Sequence, residues 1–247
     1  MMRNPLILSS GMPRAGSGWF FELTHNLVVA AGGVDTGVIR DKYYLEKLLT
    51  AGYFLQGTLS FHRLLPVMFP LIFEKSYVIK NHAGRKPLAD LFIKLGLIKP
   101  TYIYRDPRDA ALSAYEYGQF MRSQGRTNVF STLTSIEEAI EFMDLYIRIG
   151  QGWLNLDSIY NIRYEDFLLN YEEKVDELIR YVGIGEKESA LASVVDKYRP
   201  EKGPSDLKGT HFSEGKIGRH RDVFLEQEKA LCIRKFGSFL SEHGYET

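Results

Sequence analysis

The chain opens with a strand, a glycine-rich loop and a helix in direct succession, and no other stretch constrains its fold as strongly. Residues 6–8 are an apolar run of strand length, residues 9–18 are rich in Gly, Ser and Pro, and residues 19–30 carry apolar side chains at helical spacing. In such a unit the backbone N–H groups of the loop point at one place, where the helix N-terminus adds about half a positive charge. The stretch therefore predicts an anion cradle, to which Gly16 and Gly18 allow close approach.

The loop differs from a standard nucleotide-binding P-loop. Gly11 and Gly16 have the separation of the motif G-x-x-x-x-G-K-[ST], but Ser17 stands where that motif has its lysine. A cation, Arg14, lies inside the loop instead, so Arg14 and Ser17 are the candidate charged and hydroxyl donors to an anion. Taken alone, the stretch also fits a glycine-rich turn that binds no ligand.

The composition is that of an ordinary globular protein. The 247 residues suit one large α/β domain, expected to span residues 1–247, or at most two small ones. Apolar residues make up 45% and charged residues 25%, and the formal net charge is zero. Without a net charge the chain has no long-range attraction to nucleic acid or to an acidic membrane, so any anion site has to be local.

Cysteine usage and hydropathy predict a cytoplasmic protein. The one cysteine, Cys232, excludes an internal disulfide framework and fits a reducing compartment. Too few residues precede the first strand for a signal peptide. The most apolar segment, residues 61–73, contains His62, Arg63 and two prolines and is too short and too broken to span a bilayer. We expect a buried helix pair or the wall of a substrate pocket there.

Further strands and helices alternate along the chain. Apolar runs predict strands at residues 77–79, 101–104 and 158–163, and helical periodicity predicts helices at 41–49, 87–95, 110–121, from 135 onward, at 170–182 and at 225–240. This alternation predicts an α/β fold with a central parallel sheet flanked by helices on both faces. Ligands of such sheets lie beyond the carboxyl ends of the strands, so the residues that follow each strand are the candidates for chemistry.

Two helix starts carry capping signals. Ser135 with Glu138, and Asn170 with Glu173, have the three-residue separation of N-terminal capping pairs. Gly183 is placed to end the second of these helices, because glycine readily adopts the left-handed conformation found there.

The second strand runs into Lys80-Asn81-His82. A histidine with a pKa near 6.5 can take a proton at neutral pH, and a lysine beside it can stabilise charge that develops on a transferred group. His82 and Lys80 are therefore candidate catalytic residues. The alternative is a structural histidine next to an exposed lysine.

The third and fourth strands also end in candidate ligand-binding residues. Arg105 follows the third strand and Ser113 lies about two helical turns later, so that a fork of donors and a hydroxyl are available to a phosphate. An ion pair of Arg105 with Asp109 is the simpler alternative. After the fourth strand, Tyr164 is a candidate to stack on a base, or else it is a core residue and Asp166 begins a helix.

Taken together, these stretches resemble the sulfotransferase family that uses 3′-phosphoadenosine 5′-phosphosulfate (PAPS). The resemblance covers most of the chain from residue 6 to residue 224 and depends on five pieces in order. They are Pro13-Arg14-Ala15-Gly16-Ser17-Gly18-Trp19 for P-[KR]-[SA]-G-[ST]-x-W, Lys80-Asn81-His82 for Lys-x-His, Arg105-Asp106-Pro107-Arg108-Asp109 with Ser113, Tyr164-Glu165-Asp166, and the glycine loop at 213–222. It implies a P-loop-like α/β fold and a sulfotransferase activity.

Three positions depart from the family pattern. Arg14 replaces the commoner lysine, Ser213-Glu214 replaces the basic pair of the last loop, and His220 stands in place of its tryptophan. The C-terminal dimerisation motif of animal cytosolic members is not apparent either. The resemblance therefore favours a bacterial or otherwise divergent member, and no motif indicates the oligomeric state.

The resemblance implies a role for each matched residue. The loop 14–18, with Arg14 as its cation, would hold the 5′-phosphosulfate, while Tyr164 and Trp19 would help to place the adenine end. Arg105 and Ser113 would hold the 3′-phosphate. The cofactor-binding set would then be Arg14, Ala15, Gly16, Ser17, Gly18, Trp19, Arg105, Ser113, Tyr164, Ser213, Gly215, Lys216 and Arg219.

The implied chemistry is in-line transfer of a sulfuryl group without a metal. His82 would take the proton from an acceptor hydroxyl or amine, and Lys80 and Arg14 would stabilise charge on the bridging oxygen as adenosine 3′,5′-bisphosphate (PAP) leaves. The last glycine loop is expected to order over the 3′-phosphate, with Ser213, Gly215 and either Lys216 or Arg219 as donors. A permanently ordered surface loop is the alternative.

Two other functional classes stay open from the sequence. A metal-dependent kinase would use the same anion loop with Asp106 as a magnesium ligand, and a non-catalytic anion-binding module would bind without turnover. The acceptor pocket is expected to be walled by residues 53–73 and 123–131, which are rich in aromatic side chains. They mildly favour a small apolar or aromatic acceptor.

Overall fold

The fold is built on a five-stranded parallel sheet, in agreement with the sequence prediction. The computed structural model describes residues 4–184, 188–202 and 216–246. The strands lie in the order β2-β3-β1-β4-β5, and every neighbouring pair is parallel. They are β1 Leu6–Gly11, β2 Leu55–Gln56, β3 Val78–Asn81, β4 Ile98–Tyr104 and β5 Tyr160–Arg163.

Helices connect these strands and cover the sheet. The first nine in the described part of the chain are α1 Ser17–Ala30, α2 Thr36–Lys42, α3 Phe61–Met68, α4 Pro87–Lys94, α5 Pro107–Ser123, α6 Ile136–Leu154, α7 Tyr164–Leu169, α8 Tyr171–Val182 and α9 Glu188–Lys197. A short helix His220–Val223 and a C-terminal helix Glu226–Glu242 follow. Short 3-10 turns occur at Phe69–Ile72, Phe130–Thr132 and Pro200–Lys202.

The central strand β1 is buried on both faces, which explains its uninterrupted apolar start. Because side chains alternate along a strand, Ile7 points to one face and packs in the cluster of α1, α7 and α8. Leu6 and Leu8 point to the other face and pack in the cluster of α2, α3 and α4. A third apolar cluster joins α5, α6 and the C-terminal helix. Helices on both faces of a parallel sheet are thus confirmed.

The helix predicted at residues 41–49 is wrong. The helix α2 ends at Lys42, and Tyr44 has a left-handed backbone with φ of 56°. Leu45 and Leu49 are buried as their spacing suggested, but a turn brings them together, in which the N–H of Leu49 donates to the carbonyl oxygen of Leu45 over 2.9 Å. Two apolar residues four positions apart are therefore buried together here without a continuous helix.

The capping predictions have mixed outcomes. Ser135 accepts a hydrogen bond from the N–H of Glu138 over 3.2 Å, which confirms the cap of α6. Gly183 ends α8 with φ of 78°, as predicted. Asn170 precedes α8, but its side chain makes no capping hydrogen bond, so this part of the prediction is wrong.

Strand β2 and helix α9 were not predicted, because two residues and a weakly periodic segment give too little pattern.

The apolar segment 61–73 forms α3 and a 3-10 turn at the edge of the molecule. Leu64 and Val67 are buried in the core, whereas Phe69, Ile72 and Phe73 are exposed. The segment is therefore amphipathic and is not a buried helix pair. It does not line the cavity of the candidate active site either. Within the described ranges, no helix has the length and apolar character required to cross a bilayer.

Candidate active site

A cavity of about 830 Å³ lies beyond the carboxyl ends of the strands, where the sequence predicted the ligand site. It brings together residues from the ends of β1, β3, β4 and β5, although long segments of chain separate them. Ten of the predicted residues line this one cavity: Arg14, Gly16, Ser17, Gly18, Trp19, Lys80, His82, Arg105, Ser113 and Tyr164. Ala15 is fully buried next to it and does not line it.

The glycine-rich loop turns sharply before α1. Arg14 and Gly16 both have left-handed backbones, with φ of 64° and 73°. Only glycine fits at position 16, because a Cβ atom there would lie 2.7 Å from the ring of Tyr164. Gly16 is also the residue before α1 and brings no side chain to cap the first turn. The amino end of α1 is thus open toward the cavity, as an anion cradle requires.

The candidate base His82 is held in a defined orientation. Its Nδ1 lies 2.6 Å from the carbonyl oxygen of Gly11, and since a carbonyl can only accept, Nδ1 must carry the proton. The other ring nitrogen, Nε2, is then left as the acceptor. Burial, with a further contribution from the charge of Lys80, lowers the pKa of His82 to about 3. The neutral ring is therefore the form that can take a proton.

Lys80 lies on the same strand end and carries a buried charge. It is opposite Ser9 in the sheet, and its Nζ lies 4.5 Å from the centroid of the Tyr53 ring. Burial lowers its pKa to about 8; Glu22 acts against this shift and the charge of Arg14 adds to it. An anion bound in the cavity would stabilise the charged form of Lys80.

Arg105 crosses beneath the cavity and is held on several sides. Its guanidinium carbon lies 4.5 Å from the centroid of the Tyr164 ring, and Nη1 donates to the carbonyl oxygen of Arg14 over 3.4 Å. Nη2 donates to Asp109 over 3.4 Å and to the carbonyl oxygen of Lys216 over 2.8 Å. The alternative ion pair with Asp109 is thus present. Even so, the buried Nε of Arg105 has no partner among the described residues.

Arg14 reaches from the loop to helix α5. Its Nε donates to Ser113 Oγ over 3.2 Å, and its guanidinium carbon lies 4.4 Å from the Tyr117 ring centroid and 5.7 Å from that of Phe130. Burial lowers the pKa of Arg14 to about 10; Tyr117 opposes the shift, and the charge of Arg105 adds to it. The Arg14 side chain thus contacts Ser113, the hydroxyl that the resemblance assigns to the 3′-phosphate.

Trp19 and Tyr164 are largely core residues that also border the cavity. Trp19 is 1% exposed, its Nε1 donates to the carbonyl oxygen of Tyr198, and its ring stacks on Tyr171 at 5.9 Å. Tyr164 is 4% exposed and meets Trp19 edge to face at 6.4 Å. The simpler interpretation of Tyr164 as a core residue therefore holds for most of its surface, while one edge remains at the cavity.

Asp109 anchors the C-terminal part of the last glycine loop. It accepts hydrogen bonds from the N–H of Gly218 over 2.6 Å, from the N–H of His220 over 3.1 Å and from Nδ1 of His220 over 2.9 Å. Burial alone raises the pKa of Asp109, but the bonds from His220 and the charge of Arg105 outweigh it and hold the pKa at about 2. His220, which replaces the family tryptophan, is thus a structural anchor.

The predicted donors of the last loop are only partly described. Ser213 and Gly215 lie outside the described residues. Lys216 is exposed and does not line the cavity. Arg219 forms a two-pronged ion pair with Glu116 on α5, with distances of 2.9 and 2.5 Å. The charge of Arg219 is therefore balanced by a carboxylate of the protein itself.

Asp106, which the kinase alternative assigns as a magnesium ligand, is hydrogen-bonded within the protein instead. It caps α5 by accepting from the N–H of Arg108 over 2.9 Å, and its two carboxylate oxygens accept from the Arg108 side chain at 3.0 and 2.8 Å. It does not line the cavity. In the described ranges, no group of three or more His, Cys, Asp or Glu side chains is arranged to hold a metal ion.

The cavity has further walls that the sequence predicted incompletely. Residues 55–58 and 128–130 line it, as expected for parts of the two predicted wall segments. The sequence prediction missed the aromatic side chains of α5 and α6. Phe142 and Tyr146 lie four residues apart on α6, and this helical spacing was a usable signal. Besides Trp19 and Tyr164, the aromatic lining residues of the cavity are Tyr53, Tyr117, Phe130, Phe142 and Tyr146.

Comparisons with known proteins agree with this geometry. A family model for the sulfotransferase domain matches residues 73–222, which is more than half of the chain. The fold is similar to that of mouse sulfotransferase SULT7A1 complexed with PAP, with a TM-score of 0.60, 15% identity and coverage of 98% of this chain and 89% of that one. A retinol dehydratase in complex with androsterone and PAP gives a TM-score of 0.60 at 15% identity, covering 97% and 82%. No curated protein sequence matches significantly.

Proposed function

This chain belongs to the sulfotransferase domain family, and from that premise we propose that it transfers the sulfuryl group of PAPS to a hydroxyl or amine of a small acceptor. One observation carries the proposal: the glycine-rich loop, Lys80, His82, Arg105 and Ser113 line a single cavity. The mouse sulfotransferase and the retinol dehydratase were crystallised with PAP, the product of such a donor.

The cavity suits a polyanionic nucleotide. Four cations, Arg14, Lys80, Lys86 and Arg105, line it, and burial lowers the pKa values of Arg14 and Lys80. Among the described lining residues there is no carboxylate to neutralise them. A buried charge without a counterion is costly, so the site favours a ligand that brings negative charge.

Each part of the donor has candidate partners in the chain. The loop at Gly16, Ser17 and Gly18, at the open end of α1, would hold the 5′-phosphosulfate. Arg105 and Ser113 would hold the 3′-phosphate. The cavity edges of Trp19 and Tyr164 would help to place the adenine end. The proposed binding set thus comprises residues Arg14 to Trp19, Arg105, Ser113 and Tyr164, together with Ser213, Gly215 and either Lys216 or Arg219 of the last loop.

The donor supplies the sulfuryl group, and this chain supplies proton transfer and charge stabilisation. Nε2 of His82 takes the proton of the acceptor hydroxyl, because Nδ1 is occupied by Gly11. The acceptor oxygen then forms the new bond to sulfur as the bond from sulfur to the nucleotide oxygen breaks. Lys80 offers its positive charge to that leaving oxygen. Apart from the proton that Nε2 of His82 gains, no covalent bond of the protein changes in this scheme.

The acceptor is proposed to be a small apolar or aromatic molecule with a nucleophilic hydroxyl or amine. Aromatic rings of Tyr53, Phe130, Phe142 and Tyr146 line the cavity. The retinol dehydratase structures hold androsterone or retinol, both apolar molecules. We place the reaction in the cytoplasm, since the single cysteine, Cys232, is a buried free thiol.

The proposal is tested by nucleotide preference and by turnover. Thermal shift is measured with PAP, with adenosine 5′-phosphate and with ATP plus magnesium, and sulfur-labelled PAPS is then incubated with a panel of phenols, sterols and amines. We expect the largest stabilisation with PAP and labelled product with at least one acceptor. Stabilisation by ATP plus magnesium alone would support the kinase, and PAP binding without turnover on any acceptor would support a binding module.

A further inference from the structure

The loop between β3 and α4 places two adjacent basic residues in different surroundings. Arg85 is bound within the protein, because its Nε donates to Asp90 over 2.7 Å and its Nη1 donates to the carbonyl oxygen of Gly152 over 2.6 Å. Arg85 does not line the cavity, whereas Lys86 does. In the part of the chain that the structure describes, the Lys86 ammonium has no hydrogen bond and no ion pair. Lys86 is thus a cation of the cavity without a counterion among the described residues.

The segment that carries Lys86 begins at the candidate base. His82 and Lys86 line the cavity, and so do Ala83 and Gly84 between them. The carbonyl oxygen of Ala83 accepts from Trp153 Nε1 over 3.0 Å, which holds the segment against α6. Four residues of extended chain span at most about 14 Å, so one small molecule can contact both side chains.

The wall next to this segment is apolar. A Cβ atom added at Gly84 would lie 4.0 Å from Cγ2 of Ile149 on α6. Ile149, Tyr146 and Phe142 are three and four residues apart on that helix, so they share one face, and all three line the cavity. Lys86 itself is exposed and therefore lies where the cavity opens to solvent. A molecule in this part of the cavity meets apolar surface along its body and a positive charge at the opening.

We propose that Lys86 binds an anionic group of the acceptor, so that the preferred acceptor is a hydroxylated aromatic or aliphatic acid whose carboxylate pairs with Lys86. This inference rests on the proposed function and names the chemical class of its acceptor. The hydroxyl at His82 is the group that is sulfated, and the carboxylate at Lys86 is left unchanged.

The distribution of charge in the cavity supports this assignment. The proposed function uses Arg14, Lys80 and Arg105 for the donor, and it leaves Lys86 without a role. A cation in a cavity that has no carboxylate among its described lining residues favours a ligand with a negative charge. Since Lys86 is exposed, solvent screens the pairing, and the gain in affinity should be a few-fold and not a thousand-fold.

The test uses two matched pairs of acceptors on the protein loaded with PAP. One pair is 4-hydroxyphenylpropanoate and its amide, and the other is ω-hydroxydecanoate and its amide. Within a pair the hydroxyl and the carbon skeleton are the same, and only the charge differs. Affinities are measured by calorimetry. We expect the acid to bind about three- to ten-fold more tightly than the amide in at least one pair.

Lys86→Gln is the decisive variant, because it removes the charge at an exposed position where the fold is not at stake. It should weaken the preferred acid by about three- to ten-fold and leave the affinities for its amide and for PAP within about two-fold. With labelled PAPS, the loss should appear in KM for the acid rather than in kcat. Lys86→Glu should weaken the acid further, since like charges repel. Lys94→Gln is the matched control, because Lys94 is an exposed lysine of α4 outside the cavity.

The outcomes separate this inference from the proposed function. If the unaltered protein binds PAP no better than adenosine 5′-phosphate, the proposed donor is wrong. If PAP is preferred but neither acid binds more tightly than its amide, the donor stands and the inference is overturned. A preference for the acid that persists in Lys86→Gln would also overturn it. Equal weakening of the acid and of PAP by Lys86→Gln would assign Lys86 to the donor and overturn it as well.

Discussion

Nδ1 of His82 donates a 2.6 Å hydrogen bond to the carbonyl oxygen of Gly11, the last residue of β1. β1 and β3 are adjacent, with Ser10 opposite Asn81, so the residue that follows β3 meets the end of β1 directly. The same strand end begins the glycine-rich loop. The orientation of the candidate base and the start of the anion cradle are therefore fixed to one piece of backbone.

We predict that His82→Ala loses about 10²- to 10⁴-fold in kcat, because a positioned general base contributes on that scale. The affinity for PAP should change little, since the proposed donor contacts do not include the imidazole. Turnover is measured with labelled donor and a responsive acceptor, and PAP affinity by calorimetry. His62→Ala is the matched control, because His62 is exposed on α3 and does not line the cavity. Near-normal turnover of His82→Ala would contradict the assignment.

A second prediction concerns the pH dependence that Lys80 imposes. Its pKa is lowered by burial to about 8, so the charge that would stabilise the leaving oxygen is lost as the pH rises through that value. We expect kcat/KM to fall above about pH 8. Lys80→Arg should remove this fall, because arginine stays charged. A basic limb that is unchanged in Lys80→Arg would rule out Lys80 as its cause.

The sign of the linked stability distinguishes this effect from unfolding. The pKa of Lys80 is lower in the folded state, at about 8, than its usual 10.5. Between these values the unfolded chain binds the proton more strongly, so the contribution of Lys80 to stability increases with pH and is lost as the pH falls. Thermal unfolding followed over the same pH range should therefore show no loss of stability from Lys80 where activity declines.

A third prediction concerns Arg105. Arg105→Ala should weaken PAP binding ten-fold or more and leave adenosine 5′-phosphate almost unaffected, because hydrogen bonds to a charged group contribute about 1.5–3 kcal/mol each. Arg108→Ala serves as the control, since Arg108 is paired with Asp106 and lies outside the cavity. It should lower the melting temperature without altering the preference for PAP. Equal weakening of both nucleotides by Arg105→Ala would identify Arg105 as structural.

A fourth prediction uses two glycines with similar backbones. Gly16 and Gly96 have φ of 73° and 67°, but an added Cβ would lie 2.7 Å from the Tyr164 ring at position 16 and in open space at position 96. Gly96→Ala should cost about 1–2 kcal/mol of stability from the left-handed backbone alone. Gly16→Ala should cost more and also weaken PAP binding, because Tyr164 has to move. Melting temperatures and PAP titrations of both variants provide the test, and identical effects would show that the contact with Tyr164 is unimportant.

Much of the architecture was present in local sequence patterns. The apolar run at residues 6–8, the glycines behind it and the helical spacing from Trp19 predicted β1, the loop and α1, because each element depends mainly on neighbouring residues. The polar residues after the apolar runs predicted the site, since parallel strands place their carboxyl ends at one edge. Lys80, His82 and Arg105 line the cavity for that reason.

Other features depended on contacts between distant parts of the chain. The two-residue strand β2 exists because Leu55 and Gln56 pair with Lys80 and Asn81, and two residues carry no detectable period of their own. The segment 61–73 faces solvent along one side because only part of it, including Leu64, Val67 and Met68, meets the core. Its hydrophobicity alone did not distinguish a cavity wall from an exposed face.

Arg14 shows most clearly which features follow from local sequence and which depend on the tertiary structure. The sequence by itself determined that a cation sits in the loop before α1 and that the cradle behind it is lined by glycine. Only the tertiary structure decided that its guanidinium lies on Tyr117 and bonds Ser113, a residue 99 positions away. A long side chain with several rotatable bonds has many rotamers of similar energy, and the packing of α5 against the loop selects one of them. The backbone conformation of the loop therefore follows from local sequence, whereas the direction of a long charged side chain depends on the tertiary contacts around it.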